Sequence, residues 1–402
     1  MAAFEMDACP GERLMRNRSR HRRRNRGNRP GGNSTQGGNT SSGQGNSEPN
    51  GNRVDGNIAR PTSGQGGSGD AGGGRKGGGG GGGSRNRNRN RNRNRNRGGR
   101  RGRGQAPASL KRTPAEVEFL NKTPITPNEW IQLEKGSSEP AMRVMDLLCP
   151  VGKGTRGLIV SPPKVGKTTI LKQLCNAVEK AEPDMRILCV LLDERPEEVT
   201  DFKRAVNAEL FASSSDMGFQ DHIKMAHRVY QEAVGTAAEG KDVMIVLDSL
   251  TRLARAFNTA ATGTKTLSGG LDSNAMEWPR RFFGAARKLE EGGSITILAT
   301  ILVDTNSRMD EVIFQEFKGT GNMELVLSRQ AAEMRLFPAI HVKNSGTRRE
   351  ELLLSKDSLE KAWLLRRKLA VASDMEATKT VVELIKKNKT NEKILAGIVG
   401  SL

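Results

Sequence analysis

The chain has 402 residues, with 65 lysines and arginines against 45 aspartates and glutamates, a formal net charge of +20. The excess is uneven: 23 basic and 6 acidic residues precede residue 108, leaving 42 and 39 for the remainder. Four cysteines without a CxxC pair argue against a disulfide framework or a zinc site, and no apolar run reaches membrane-spanning length, so no membrane partner is expected.

Residues 1–107 are rich in Gly, Asn, Ser and Arg, include the glycine run Gly77–Gly83, and cannot bury a core. They read as a disordered basic tail. Its N-terminus, MAAFEMDACPGERL, has acids where a signal peptide has bases and lacks an apolar segment, so a cytoplasmic protein is expected. The alternation RNRNRNRNRNRNR at Arg85–Arg97 offers guanidiniums for phosphate, and Phe4 as the tail's single aromatic leaves no platform for stacking bases.

Residues 108–145 read as a short extension, with a helix at Thr113–Asn121 capped by Thr113 and opened by Pro114, then short strands or loops over Lys122–Ala141. Residues 146–402 read as one α/β domain. Strands are predicted at Gly157–Val160, Arg186–Asp193, Val243–Asp248, Ile295–Val303 and Met323–Ser328. Between them fall helical patterns at Lys167–Lys180, Glu197–Ala208, His222–Glu239, Leu250–Phe257 and Ala275–Leu289. Such alternation implies right-handed βαβ units and a mostly parallel sheet. From Asp357 onward three amphipathic helices are predicted, broken near Ser373 and Asn391. His222 and His227 are five apart, share no helix face cleanly, and are expected at the surface.

The first predicted strand runs into RGLIVSPPKVGKTT, from Arg156 to Thr169. Pro162 and Pro163 bar a helix, and Gly166 lets the chain close around an anion. The helix that follows aims free N–H groups at phosphate, Lys167 reaches the β- and γ-phosphates, and the Thr168 hydroxyl can ligate Mg²⁺. This is the P-loop pattern GxxxxGK[ST] with Ser161 in place of its first glycine. The second strand ends in Asp193 and Glu194, then Arg195. Ligands of open α/β sheets sit at the carboxyl ends of strands, which makes Glu194 the candidate to orient and deprotonate an attacking water. Arg195 is expected to contact phosphate or couple the site to a neighbour. Asp248, after the apolar VMIVL, fits a Walker-B carboxylate associated with Mg²⁺.

With LLDERPEEV, VLDSLTRLARAFN, GGLDSNAMEWPRRFFGAARKLEEGGSITILAT, MDEVIFQEFKGTGNMEL and FPAIHVKNSGTRREELL, the stretch from about Pro124 to the C-terminus resembles the Rho family of bacterial transcription termination factors. That resemblance implies a RecA-like P-loop NTPase core in a homohexameric ring, an RNA-dependent ATPase and helicase that uses ATP and Mg²⁺. It would translocate 5'→3' on single-stranded nascent RNA and release the transcript from the RNA polymerase elongation complex. It places ATP contacts at Gly152, Lys153, Gly154, Thr155, Arg156 and Gly157. A second set of ATP contacts covers Lys164, Val165, Gly166, Lys167, Thr168 and Thr169, with Arg195 also at the nucleotide. It makes Arg348 an arginine finger supplied by a neighbouring subunit, with Arg335 as a second contributor. Two loops would grip RNA in the ring's hole, one through Lys265 within Thr259–Gly270 and one through Arg308, where the family has lysine.

The family's N-terminal OB-fold is not legible here: about 17 residues between Gln105 and Asn121 are too few for a five-stranded barrel. The basic tail is expected to serve RNA binding in its place. A rotary ATP synthase catalytic subunit shares the P-loop, the strand-end glutamate and the trans arginine, but it needs an N-terminal β-barrel and has no use for RNA loops. A non-catalytic RNA-binding protein with a decayed motor is opposed by the intact Lys167, Thr168, Glu194, Asp248 and Arg348.

Overall fold

The structure is a computed structural model that describes residues 112–261 and 268–399. The tail and Lys265 fall outside the described residues. The strands are β1 (Pro124–Ile125), β2 (Trp130–Ile131), β3 (Val151–Gly152), β4 (Arg156–Ser161), β5 (Arg186–Glu194), β6 (Glu209–Ser214), β7 (Asp242–Asp248), β8 (Arg287–Leu289), β9 (Ser294–Leu302), β10 (Met323–Val326) and β11 (Gly346–Thr347). The main sheet has the order β11-β10-β4-β9-β7-β5-β6, and its pairs from β10 to β6 are parallel.

Leu158, Ile159, Leu188, Val190, Val246 and Leu298 are all buried, and a strand buried on both faces needs helices above and below it. One face is covered by α2 (Leu133–Gly136), α3 (Pro140–Leu148) and α4 (Lys167–Ala181), with α5 (Pro196–Ala205) at its flank through Phe202. The other is covered by α6 (Phe219–Ala238), α7 (Leu250–Ala260), α8 (Glu277–Gly284) and α9 (Arg308–Lys318). The short α10 (Arg329–Glu333) leads to α11 (Lys356–Ala370), α12 (Asp374–Lys387) and α13 (Asn391–Val399), which extend the first core. Ser373 caps α12 with a full capping box, and α13 begins at Asn391, where the breaks were predicted.

The extension is built into the same body. Thr113 caps α1 (Pro114–Asn121), whose Glu116 is buried, accepts from the Tyr230 hydroxyl at 2.8 Å and pairs with Arg281. Residue 145 lies inside α3, so the chain ahead of it packs as part of the core that follows.

Several elements depart from expectation. The helix predicted over Ala275–Leu289 stops at Gly284, and Arg287–Leu289 instead forms β8, antiparallel to β9. Gly292 and Gly293, both at positive φ, turn that hairpin, and a side chain at Gly293 would collide with the Ala237 carbonyl. β6 was not anticipated because an edge strand buried along one face lacks the long apolar run of its neighbours. The surface expectation for both histidines is corrected. His222 is 6 % exposed, with Nδ1 2.7 Å from the Ser213 hydroxyl, because the α6 face carrying it packs on the sheet. His227 sits 4.2 Å from the Trp278 ring centre, and burial, with Arg281 nearby, pulls it down to about 4.

Candidate active site

β4 ends at Ser161, whose buried hydroxyl donates to the Pro162 carbonyl at 3.0 Å, so the residue replacing the motif's first glycine is satisfied locally. The loop then bends through Lys164 and Gly166, both at positive φ, before α4 begins at Lys167. The opening N–H groups of α4, from Lys167, Thr168 and Thr169, lack helical acceptors and form a ready anion seat.

Register brings the acids of two further strands to the same edge. In the β5–β7 pair, Leu191 faces Asp248, so Glu194 and Asp248 both stand at the carboxyl end of the sheet. Lys167 Nζ lies 2.6 Å from Asp248 Oδ1 and 3.2 Å from Glu194 Oε1. Asp248 is 2 % and Glu194 5 % exposed. Burial works against the Lys167 ammonium, but Asp248 and then Glu194 outweigh it and hold its pKa above the usual value. Burial pushes the Glu194 carboxyl up; Lys167 opposes this, and the Asp248 charge adds to it.

Two residues that sequence reasoning missed complete the cluster. Arg252, in the first turn of α7, reaches Asp193 Oδ2 at 2.7 Å and Glu194 Oε1 at 3.3 Å. The Thr300 hydroxyl on β9 donates to Asp248 Oδ1 at 2.8 Å. Arg195 stands exposed at the N-cap of α5, on the same sheet edge. The oxygen set of Thr168 and Asp248 suits a hard divalent cation such as Mg²⁺, and Asp248 is at present neutralised by Lys167.

Beside the loop lies a cavity of about 420 Å³, lined by Val165, Gly166, Thr169, Ile170, Phe337 and Pro338 among others. Phe337 is 46 % exposed there, an aromatic face available for stacking. Its signal was the FPAI segment, read for resemblance but not for chemistry. Arg335 is exposed at positive φ on the same turn.

Other expected site residues lie elsewhere. Gly152, Lys153, Gly154, Thr155, Arg156 and Gly157 sit at or before the amino end of β4, and six strand residues at ~3.3 Å each separate that end from the phosphate loop. Within one subunit they do not adjoin it. They also have structural partners within the chain. Lys153 pairs with Asp242 at 2.8 Å and Glu182 at 3.3 Å, and the Thr155 hydroxyl accepts from the Gly152 N–H at 2.8 Å. A Cβ on Gly154 would meet the Lys288 backbone at 2.4 Å, and one on Gly157 the Leu298 side chain at 2.5 Å.

Arg348 also lies at the amino edge. Thr347 pairs with Met323, which pairs with Gly157, and the Arg348 N–H donates to the Asn322 carbonyl at 2.7 Å. Its exposed guanidinium is a sheet's length from the phosphate loop of its own chain. Arg308 is exposed at the first position of α9, capped by Ser307. Gly269, at positive φ, packs on the Arg308 carbonyl so closely that a Cβ would lie 2.8 Å from it, which joins the end of the Thr259–Gly270 segment to Arg308. Arg255 of α7 holds the same assembly through Asp310, with Nε 2.8 Å from Oδ1.

Residues 141–347 match the ATP synthase alpha/beta family, nucleotide-binding domain. The chain is 52 % identical over 280 residues to transcription termination factor Rho of Borreliella burgdorferi, covering 69 % of this chain and 54 % of that protein. Identity is 50 % over 282 residues to Rho of Pseudomonas aeruginosa, covering 69 % and 67 %, and 49 % over 284 residues to Rho of Karelsulcia muelleri, covering 70 % and 75 %. The chain thus spans about half to three-quarters of the length of these relatives. A prototypical ATPase from the type III secretion system of pathogenic bacteria shares the fold at a TM-score of 0.58 and 23 % identity, covering 69 % of this chain and 88 % of that one.

Proposed function

The chain belongs to the transcription termination factor Rho family, and from that premise we propose that it is an RNA-dependent ATPase that moves 5'→3' along single-stranded nascent RNA and releases the transcript from the polymerase elongation complex. The carrying observation is the Lys167 ammonium held between Glu194 and Asp248 at the mouth of an anion-binding helix.

ATP phosphates seat on the first turn of α4, and Lys167 turns from the carboxylates to the β- and γ-phosphates. Glu194, released from Lys167 but still held by Arg252, orients the attacking water and accepts its proton. Asp248 and Thr168 would hold Mg²⁺, which supplies charge neutralisation at the phosphates. The adenine ring of ATP lies in the cleft against Phe337. Because Arg348 is remote from its own phosphate loop, it completes the site of a second copy, which favours a homohexameric ring with nucleotide between subunits, Arg335 being a second contributor and Arg195 a contact of the nucleotide. Arg308, and Lys265 beyond the described residues, grip RNA phosphate.

Transcript release from stalled elongation complexes tests this reading. Release is expected with ATP and not with a non-hydrolysable analogue; release that is indifferent to hydrolysis contradicts it.

A further inference from the structure

Cys175 and Cys189 are both fully enclosed, at 1 % and 0 % exposure, yet their sulfurs lie 3.2 Å apart. Neither takes part in the chemistry above. Cys175 is on α4, two turns beyond Lys167, or about 12 Å along the helix axis. Cys189 is on β5, five residues before Glu194, or about 16 Å along the strand. The pair therefore joins the element that carries the phosphate-binding lysine to the element that carries the general base. The two sulfurs already touch, and closing to a disulfide bond of about 2.05 Å asks for a movement of roughly 1 Å.

We infer that Cys175 and Cys189 form a modification site: a buried dithiol that hydrogen peroxide converts to an intramolecular disulfide, clamping α4 to β5. One sulfur attacks the peroxide O–O bond, takes one oxygen as a sulfenic acid and releases the other as water. The second sulfur then displaces the sulfenic oxygen as a second water, and the S–S bond forms. Both thiol protons leave in the two waters, and two electrons pass from the thiols to the peroxide. The contact with Cys189, and then burial, raise the Cys175 thiol well above its ordinary range, so the reaction is slow and selective for small oxidants. The clamp fixes the spacing of Lys167 and Glu194, and its effect on turnover rests on the ATPase reading, whereas the cross-link itself does not.

The test treats the full-length chain with hydrogen peroxide, blocks remaining thiols under denaturing conditions, and maps the peptides by mass spectrometry. A Cys175–Cys189 linked peptide is expected, with two of the four cysteines protected and a loss of about 2 mass units. ATP turnover falls in the oxidised protein, dithiothreitol restores it, and Cys175→Ser is insensitive to the same treatment. Free Cys175 and Cys189 after oxidation, separate sulfinic acids on each, or pairing of either with Cys9 or Cys149 overturns the site. A mapped cross-link with unchanged turnover overturns the clamp.

Discussion

Lys167 Nζ stands 2.6 Å from Asp248 Oδ1, and the two arrive there from strands that are not neighbours: β4 leads into Lys167, β7 ends in Asp248, and β9 lies between them. Thr300 of the intervening β9 donates to the same carboxylate oxygen, so three consecutive strand positions in the sheet define one polar point. Lys167→Ala removes the cation that both buried acids face. Nucleotide binding and turnover are expected to be lost, as equilibrium binding of a fluorescent ATP analogue will show.

Glu194→Gln keeps the shape and removes the base. ATP binding is expected to persist while kcat falls by about 10²–10⁴. The wild-type pH profile has a definite sign. As a general base Glu194 would act deprotonated, and burial raises its pKa, so kcat/KM is expected to rise with pH through a midpoint above the ordinary glutamate range. A midpoint at or below that range contradicts the assignment.

Arg252 spans Asp193 and Glu194, a geometry suited to positioning Glu194. Arg252→Ala should lower kcat about tenfold, or ~1.4 kcal/mol, with the KM for ATP little changed. Arg252→Lys should recover part of it. A rise in KM alone places Arg252 in ground-state binding instead.

The phosphate loop, the strand-end acids and the order of the core elements were legible because each is local: a run of β-branched residues, a Gly-Lys-Thr turn, an acid closing an apolar strand. Arg252, Thr300 and Phe337 were not, since their roles arise from register between β7, β9 and a turn some 170 residues beyond the loop. The position of Gly152–Gly157 at the opposite edge of the sheet from the phosphate loop was likewise not legible, because the direction and length of β4 decide it.

Arg348 is the group expected to act in trans. Arg348→Ala should reduce turnover by ~10³–10⁵, the range for arginine fingers. Mixing Arg348→Ala with Lys167→Ala subunits should restore some activity, because some junctions then hold both groups. Absence of complementation in demonstrably mixed assemblies contradicts a shared site.

Deleting residues 1–104 removes most of the chain's positive excess. RNA affinity should fall, and the log-salt slope should flatten by ~0.7 for each RNA phosphate that the tail would have neutralised. Poly(C) and poly(A) should be affected alike for want of a stacking platform. Measuring both slopes for the full-length and truncated chains decides it.

Lys167, Glu194 and Asp248 are expected to hydrolyse ATP when RNA is engaged. Phosphate release by the full-length chain, measured with and without poly(C) at saturating ATP, tests it most directly. Slow release without RNA and a large stimulation with it are expected, with release in Glu194→Gln lower by about 10²–10⁴ when RNA is present. Equal rates with and without RNA, or wild-type release by Glu194→Gln, would contradict it.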